Sequence, residues 1–187
     1  MTSPSCAQVS GFLIVWVMRR LTLLAALGMA YWFFGNLHEA VVFSPNWVDD
    51  SPAQFTRLHG FFNNTGPTLY FVPVTQLATV LVWVLWWRNR DDDLRVHYRR
   101  AGIASLALTG VTAGIVGLVI PRMLGTGALA DPAGLNPAAW WWNILNIGRM
   151  TLTATTGWFL FQAFRTLDRA VCCEVDRLSG HASRSPT

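Results

Sequence analysis

Four apolar runs, separated by short polar segments, dominate the pattern of this chain. Each is close to the ~20 residues that a helix needs to cross ~30 Å of hydrocarbon. A proline opens the second run and another closes the third, at positions where a missing backbone N–H is tolerated or ends a helix. The pattern predicts an all-α protein, a four-helix transmembrane bundle with spans at about residues 21–43, 67–87, 101–120 and 137–164.

Both ends of the chain lie outside this membrane domain of residues 21–164. Residues 1–20 form an N-terminal segment that we expect on the cytoplasmic side, and Met18-Arg19-Arg20 within it resembles an alternative translation start. The apolar run continues through Tyr31-Trp32-Phe33-Phe34, beyond the length of a cleavable signal, so we expect the first span to stay uncut. Residues 165–187 are predicted to be a cytoplasmic tail, disordered at its end.

Composition and charge placement agree with a membrane protein. Hydrophobic residues make up 52% of the chain and charged residues 13%, against about 25% charged in soluble domains. All basic residues are arginines, and most fall on one side of a four-pass arrangement. That side holds Arg19, Arg20, Arg88, Arg90, Arg95, Arg99, Arg100, Arg165, Arg169, Arg177 and Arg184. The positive-inside rule then places both termini in the cytoplasm, in a protein of a bacterial plasma membrane, and the net charge of +4 reflects topology rather than nucleic-acid binding.

Tryptophans support the same orientation. Trp83, Trp86 and Trp87 close the second span on the predicted inner side, while Trp140-Trp141-Trp142 opens the fourth span on the outer side. Aromatic side chains are enriched at both surfaces of a bilayer. The lipid bilayer is therefore the first expected partner.

The first outer loop has a helical pattern of its own. Ser51-Pro52 is a typical helix start, and Phe55, Leu58, Phe61 and Phe62 follow at helical spacing. We expect a short interfacial helix over the outer end of the bundle, as a connector or a lid.

The third span contains a stripe of small residues, Gly110, Gly114 and Gly117. Such a stripe lets a neighbouring helix approach closely, and close packing is a main source of helix association in lipid. The favoured interpretation is packing inside the bundle, and the alternative is a homo-oligomer that forms through these glycines.

Arg149 is the residue most indicative of function, because it lies about two turns inside an apolar segment. A charged side chain at membrane depth costs ~2.5–3.5 kcal/mol on insertion scales, so it needs partners and indicates a functional site. Asn146, Arg149 and Thr153 share one face of the fourth helix. On the first span, Asn36 and Glu39 lie at a similar depth, about 10–13 Å below the outer end.

These residues predict a polar cavity in the outer half of the membrane. We expect it to contain Glu39, His38 and Arg149 as catalytic groups. Substrate-binding positions would be Asn36, Asn143, Asn146, Gln76, Trp142 and His59. The alternative is an internal Glu39–Arg149 ion pair that only holds the first and fourth helices together.

A family resemblance rests on several of the same positions. They are Gly35-Asn36, Glu39, Pro45-Asn46, Pro67, Trp142-Asn143, Asn146 and Arg149. In this pattern the chain resembles the anthrone-oxygenase-like membrane proteins, small four-helix proteins, over about residues 21–164. The resemblance implies a hydrophobic polycyclic or quinone-like substrate in natural-product tailoring. It also matches Asn146 and Arg149 to the asparagine and arginine of the family's last helix.

The chemistry that these groups suggest is proton removal and anion stabilisation. Glu39 or His38 would act as general base, and Arg149 with Asn146 would stabilise the enolate or phenolate. Oxygenation, cyclisation and isomerisation all remain open for such an anion, as does a non-enzymatic role as an accessory subunit or small exporter. The histidines show no metal-ligand spacing and no nucleotide-binding motif occurs, so neither a metal nor a cofactor is expected.

Overall fold

The computed structural model describes residues 6–61, 67–89, 92–125 and 127–182, and within these ranges it is helical with no strand. Its longest helices are α1, Cys6–His38, α4, Pro67–Arg88, α5, Asp92–Gly114, and α7, Pro132–Ala182. Three shorter helices are α2, Ser44–Val48, α3, Ser51–Phe61, and α6, Ile120–Leu124. A 3₁₀ turn at Ala128–Ala130 precedes α7. The predicted all-α class is confirmed.

Three segments are long and apolar enough to cross a membrane: Leu13–Val48, Tyr70–Arg88 and Asp93–Leu124. They overlap the first three predicted spans. The fourth, within α7, is not among them, because asparagines, threonines and Arg149 lower the hydropathy of that helix.

Two of these segments pass through a π-helical turn next to a proline. The Ser44 N–H donates to the carbonyl of Glu39, one residue further back than in an α-helix, and Pro45 follows. The Ile120 N–H donates in the same way to Ile115, directly before Pro121. A widened turn accommodates a proline that would otherwise clash with the preceding turn. The predicted helix ends near Phe43 and Ile120 were therefore too early.

α7 also exceeds its predicted bounds. It begins at Pro132, passes through Pro137, and continues to Ala182, whereas the fourth span was predicted at residues 137–164. The predicted disordered end of the tail lies largely outside the described residues.

The long helices pack as an antiparallel set. α1 contacts both α4 and α7, and α5 contacts the same two helices from the other side. Arg19 near the middle of α1 pairs with Asp168 at 2.6 Å, while Asn146 reaches Asn36 near the C-terminal end of α1, so α1 and α7 run in opposite directions.

Two hydrophobic cores stabilise this arrangement. One contains Met29, Val82, Tyr98 and Leu160 from the four long helices. The other is built around Phe55 of α3, which contacts residues of the α5–α6 segment and α7. The predicted loop helix therefore exists, and its Phe55 is fully buried, while Phe61 is exposed and Phe62 lies outside the described residues.

The glycine stripe does not pack as expected. Among the described residues, a Cβ atom added to Gly110, Gly114 or Gly117 would meet nothing within 4 Å beyond its own helix. The favoured interpretation, packing inside the bundle, is therefore wrong for these positions. The alternative, a contact with a second copy of the chain, stays a prediction.

Candidate functional site

Arg149 faces the interior of the helix assembly. Asn146, Arg149, Thr153 and Thr156 form one stripe of α7, and all are buried. The hydroxyls of Thr153 and Thr156 donate to carbonyls one turn back on their own helix. Their polar groups are therefore satisfied, and Arg149 is the charged group that this face presents to α1.

The guanidinium of Arg149 has two partners. Its Nε and Nη2 atoms donate to Asn146 Oδ1 at 3.1 and 2.7 Å. Nη2 also reaches Glu39 Oε2 at 3.5 Å, so the predicted proximity of Glu39 and Arg149 is confirmed. The ion pair is long, and Asn146 sets the orientation of the guanidinium.

Asn146 connects this arrangement to α1 as well. Its Nδ2 atom donates to the main-chain carbonyl of Asn36 at 3.2 Å. One amide side chain therefore orients Arg149 and ties α7 to α1. Asn146 lies behind the guanidinium and does not line the cavity in front of it.

A cavity of about 120 Å³ lies in front of Arg149. All four long helices or their π-helical extensions contribute to its wall. The wall contains Trp32, Gly35, Asn36, Glu39, Phe71, Val72, Thr75, Gln76, Thr112, Val116, Ile120, Trp142 and Arg149. We call it the polar cavity. The Arg149 guanidinium also lies 5.9 Å from the ring centroid of Trp142.

Two buried polar atoms of this wall have no hydrogen-bond partner among the residues that the structure describes. They are Nδ2 of Asn36, a residue only 4% exposed, and Oγ1 of Thr112. Buried polar groups in folded proteins are nearly always paired, and exceptions call for a ligand, a water or a functional reason. Both exceptions line the same cavity as the Glu39–Arg149 pair, so a group that enters this cavity would meet donors and an acceptor without a partner.

The polar cavity opens on one side of the protein. Val72 of α4 is 43% exposed and Val116 of the π turn is 55% exposed, and Gln76 beside them is also exposed. These three residues form the mouth of the cavity. Val72 and Gln76 belong to α4, and Val116 belongs to the π-helical turn that extends α5. Both segments are candidate spans, so the mouth lies between them on the lateral surface of the helix assembly.

Gly35 allows α1 and α4 to close the wall of the polar cavity on the side away from the mouth. A Cβ atom on Gly35 would lie 2.6 Å from the Phe71 ring, so this ring could not occupy its position beside a larger residue. Tyr31 packs against the same ring with centroids 5.1 Å apart. The aromatic wall therefore depends on a close approach of α1 and α4.

Five predicted site residues lie in the cavity wall: Asn36, Glu39, Gln76, Trp142 and Arg149. The other four do not. Asn146 is buried behind Arg149, and Asn143 accepts a hydrogen bond from the Ser44 hydroxyl.

The two histidines were placed wrongly. His38 is exposed and packs edge-on against Phe43, because it points away from the face that carries Asn36 and Glu39. His59 lies on α3, where its Nε2 atom is 3.4 Å from the Met123 carbonyl oxygen. Glu39 therefore remains as the predicted base within the cavity.

Sequence reasoning missed the contribution of α5. Thr112 is one of three hydroxyl residues in the predicted third span, with Ser105 and Thr109, and nothing in the sequence singles it out. Trp32 and Phe71 gave no signal, since aromatic residues are common throughout the spans. Among the described residues no group of three or more histidine, cysteine, aspartate or glutamate side chains could hold a metal ion.

Comparison with family models, with curated proteins and with solved structures finds no match for this chain.

Proposed function

We propose that this chain is an integral membrane enzyme that acts on a hydrophobic, polycyclic or quinone-like small molecule at the polar cavity. One observation carries the proposal: the unpaired Asn36 amide and Thr112 hydroxyl share a buried cavity with the Glu39–Arg149 pair. A network that served packing alone would have no reason to leave buried polar groups unpaired beside an opening.

The proposal includes α7 as a fourth membrane span, with both termini in the cytoplasm. Outside the buried stripe, α7 exposes large hydrophobic residues such as Ile144, Ile147 and Phe161. The hydroxyls of Thr151 and Thr155 donate to carbonyls of their own helix, which suits a lipid environment. Over residues 144–161, the exposed face of α7 thus carries hydrophobic side chains together with threonines whose hydroxyls are bonded within the helix.

The size of the polar cavity limits what can enter it. Ligand sites usually measure about 300–1,000 Å³, and this cavity measures about 120 Å³. It therefore accepts one polar edge of a substrate, such as a carbonyl or phenol. The apolar body would remain at the mouth formed by Val72, Gln76 and Val116, in contact with lipid.

The groups in the cavity suit proton removal from such an edge. The Glu39 carboxylate takes a proton from an acidic C–H or O–H, and the negative charge moves to the substrate oxygen. The Arg149 guanidinium and the Asn36 amide donate hydrogen bonds to that oxygen. In a site with little water, preorganised donors of this kind supply much of the stabilisation of an anion. Oxygenation, cyclisation or isomerisation can follow from the same anion, and the resemblance to anthrone-oxygenase-like proteins implies a polycyclic or quinone-like substrate.

The proposal is tested with purified protein in lipid nanodiscs. A hydroxyanthraquinone serves as the binding probe, because its visible spectrum changes on deprotonation, and anthrone serves as the candidate substrate. We expect the wild type to bind the probe as its anion and to accelerate loss of anthrone. Glu39→Gln and Arg149→Leu should each abolish both effects.

Arg19→Leu and Asp168→Asn are the matched controls, because they remove an ion pair between the same two helices outside the cavity. Thermal unfolding reports whether each variant is folded. Unchanged probe spectra and turnover in folded Glu39→Gln and Arg149→Leu variants would refute the proposal.

A non-enzymatic accessory role is the second candidate. It is favoured by two contacts of α7: Asn146 bonds to α1, and Arg149 pairs with Glu39 in the π turn that follows α1. Contacts that only hold two helices together would have the same form. In that case the wild type would bind no probe, and Glu39→Gln and Arg149→Leu would change only the unfolding temperature.

A further inference from the structure

A second and larger cavity lies between α4 and α5, away from the polar cavity. It is a groove of about 810 Å³, and three tryptophans, Trp83, Trp86 and Trp87, form much of its wall. We call it the tryptophan groove. Nothing in the proposed reaction uses it.

The groove is polar at one end and apolar at the other. Asn89 and Arg95 line the end at the α4–α5 connection, while Val80 and Leu106 line the far end. Val80 and Asn89 lie nine positions apart on the sequence, which corresponds to ~13 Å along a helix. Both helices belong to candidate membrane spans, so the apolar end extends from the surface of a bilayer into its hydrocarbon.

The floor of the groove is fixed by specific contacts. Trp83 Nε1 donates to Ser105 Oγ at 2.8 Å. A Cβ atom on Gly102 would collide with the Trp86 ring, so this ring lies directly on the backbone of α5. Trp87, in contrast, is 86% exposed at the rim. Two tryptophans therefore shape the groove, and the third is available to a ligand.

The segment of sequence that contains the polar end of the groove carries a net positive charge. Residues 88–100 contain arginines at positions 88, 90, 95, 99 and 100 against the aspartates of positions 91–93. Arginines next to a membrane surface attract anionic lipids, and tryptophans lie at the level of the headgroups.

From this combination we infer that the tryptophan groove binds one anionic phospholipid. Its phosphate lies near Arg95 and Asn89, and one acyl chain follows the groove past Val84 to Leu106. The inference does not depend on the proposed enzyme activity, because no residue of the polar cavity takes part.

The inference is tested by electron spin resonance of the full-length protein in phosphatidylcholine vesicles. These contain a small fraction of spin-labelled phosphatidylglycerol or spin-labelled phosphatidylcholine, and the immobilised fraction of each label is measured. We expect about fivefold preference for phosphatidylglycerol, the effect of about one arginine near the headgroup. Arg95→Gln should remove the preference, whereas Arg99→Gln, an exposed arginine outside the groove wall, should keep most of it.

The apolar end has its own matched pair of variants. Leu106→Trp fills the groove and should release immobilised lipid of both kinds. Ile103→Trp changes a residue of similar exposure on the same helix outside the groove, and should have no effect. Equal immobilisation of both lipids by the wild type, or equal losses in the Leu106 and Ile103 variants, would overturn the inference. Full displacement of the labelled lipid by inorganic phosphate would do so too, because it would indicate a site for soluble anions.

Discussion

A Cβ atom on Gly28 would lie 2.5 Å from the Cβ atom of Ala78. α1 and α4 therefore approach each other as closely as a glycine permits at this level. The contact lies in the same core as Met29 and Val82, below the polar cavity. This glycine, rather than the stripe on α5, performs the close packing that small residues provide in membrane bundles.

Gly28→Ala should destabilise the protein, because the added methyl group would collide with the Ala78 Cβ atom, and that atom can move only if the backbone of α4 moves with it. Overpacking of this kind costs about 1–3 kcal/mol. Gly110→Ala should cause no loss, since its added Cβ atom meets open space. Thermal unfolding of both variants in the same detergent measures the difference, and equal unfolding temperatures would contradict it.

Substitutions at the mouth should block the polar cavity without touching its polar groups. Val72→Trp and Val116→Trp are expected to lower the affinity for the hydroxyanthraquinone probe at least tenfold. Val74→Trp and Leu118→Trp place the same side chain on exposed positions of the same segments, away from the cavity wall. Binding titrations compare the two pairs. Similar losses in both would mean that ligands do not enter between α4 and α5.

Asn146 should matter mainly through Arg149. Asn146→Leu removes two hydrogen bonds to a guanidinium, and a hydrogen bond to a charged group is worth about 1.5–3 kcal/mol. The double variant Asn146→Leu/Arg149→Leu should therefore be less destabilised than the sum of the two single variants, because no unpaired charge stays buried. Urea or thermal unfolding of the four proteins gives the coupling energy.

The control for this cycle is Asn46→Leu, which removes an exposed asparagine that donates to the carbonyl of Val42, away from the cavity wall. Its effect should add independently to that of Arg149→Leu. Additive effects of Asn146→Leu and Arg149→Leu would show that the two residues act separately.

Arg149→Lys should not restore function although it keeps the positive charge. A lysine ammonium lacks the planar fork that lets Nε and Nη2 bond Asn146 together. We expect probe affinity to fall about 10- to 100-fold, in line with the loss of one hydrogen bond to a charged group. Arg19→Lys, outside the cavity, should bind the probe like the wild type, and equal binding by Arg149→Lys would refute a positioning role for Asn146.

Much of the helical organisation could be predicted from hydropathy, but helix ends could not. Pro121 suggested that the third span stops, whereas the structure continues there, and also at Pro45, through widened turns. A proline lacks the backbone N–H donor, and its ring clashes with the carbonyl of the preceding helical turn. A π turn accommodates both effects. Whether it does so depends on what the following residues pack against.

The candidate site was predictable only where polar residues interrupt apolar sequence. Asn36, Glu39 and Arg149 could be placed together because their depth in the span follows from their position along a helix. His38 and His59 were misplaced because depth does not specify direction. Apolar spans are hydrophobic all round, so the pattern does not indicate which side faces the interior.

The sequence by itself determined that this chain is helical, that it contains apolar runs long enough to span a membrane, and that one arginine within such a run needs partners. These properties follow from local composition and from the high free-energy cost of an unpaired charge. Only the tertiary structure decided that Asn146 orients Arg149, that Thr112 completes the polar cavity, and that Gly28 and Gly35 make the close approaches. Those relationships depend on the rotation of each helix about its axis, which is set by side-chain packing between residues far apart in the chain.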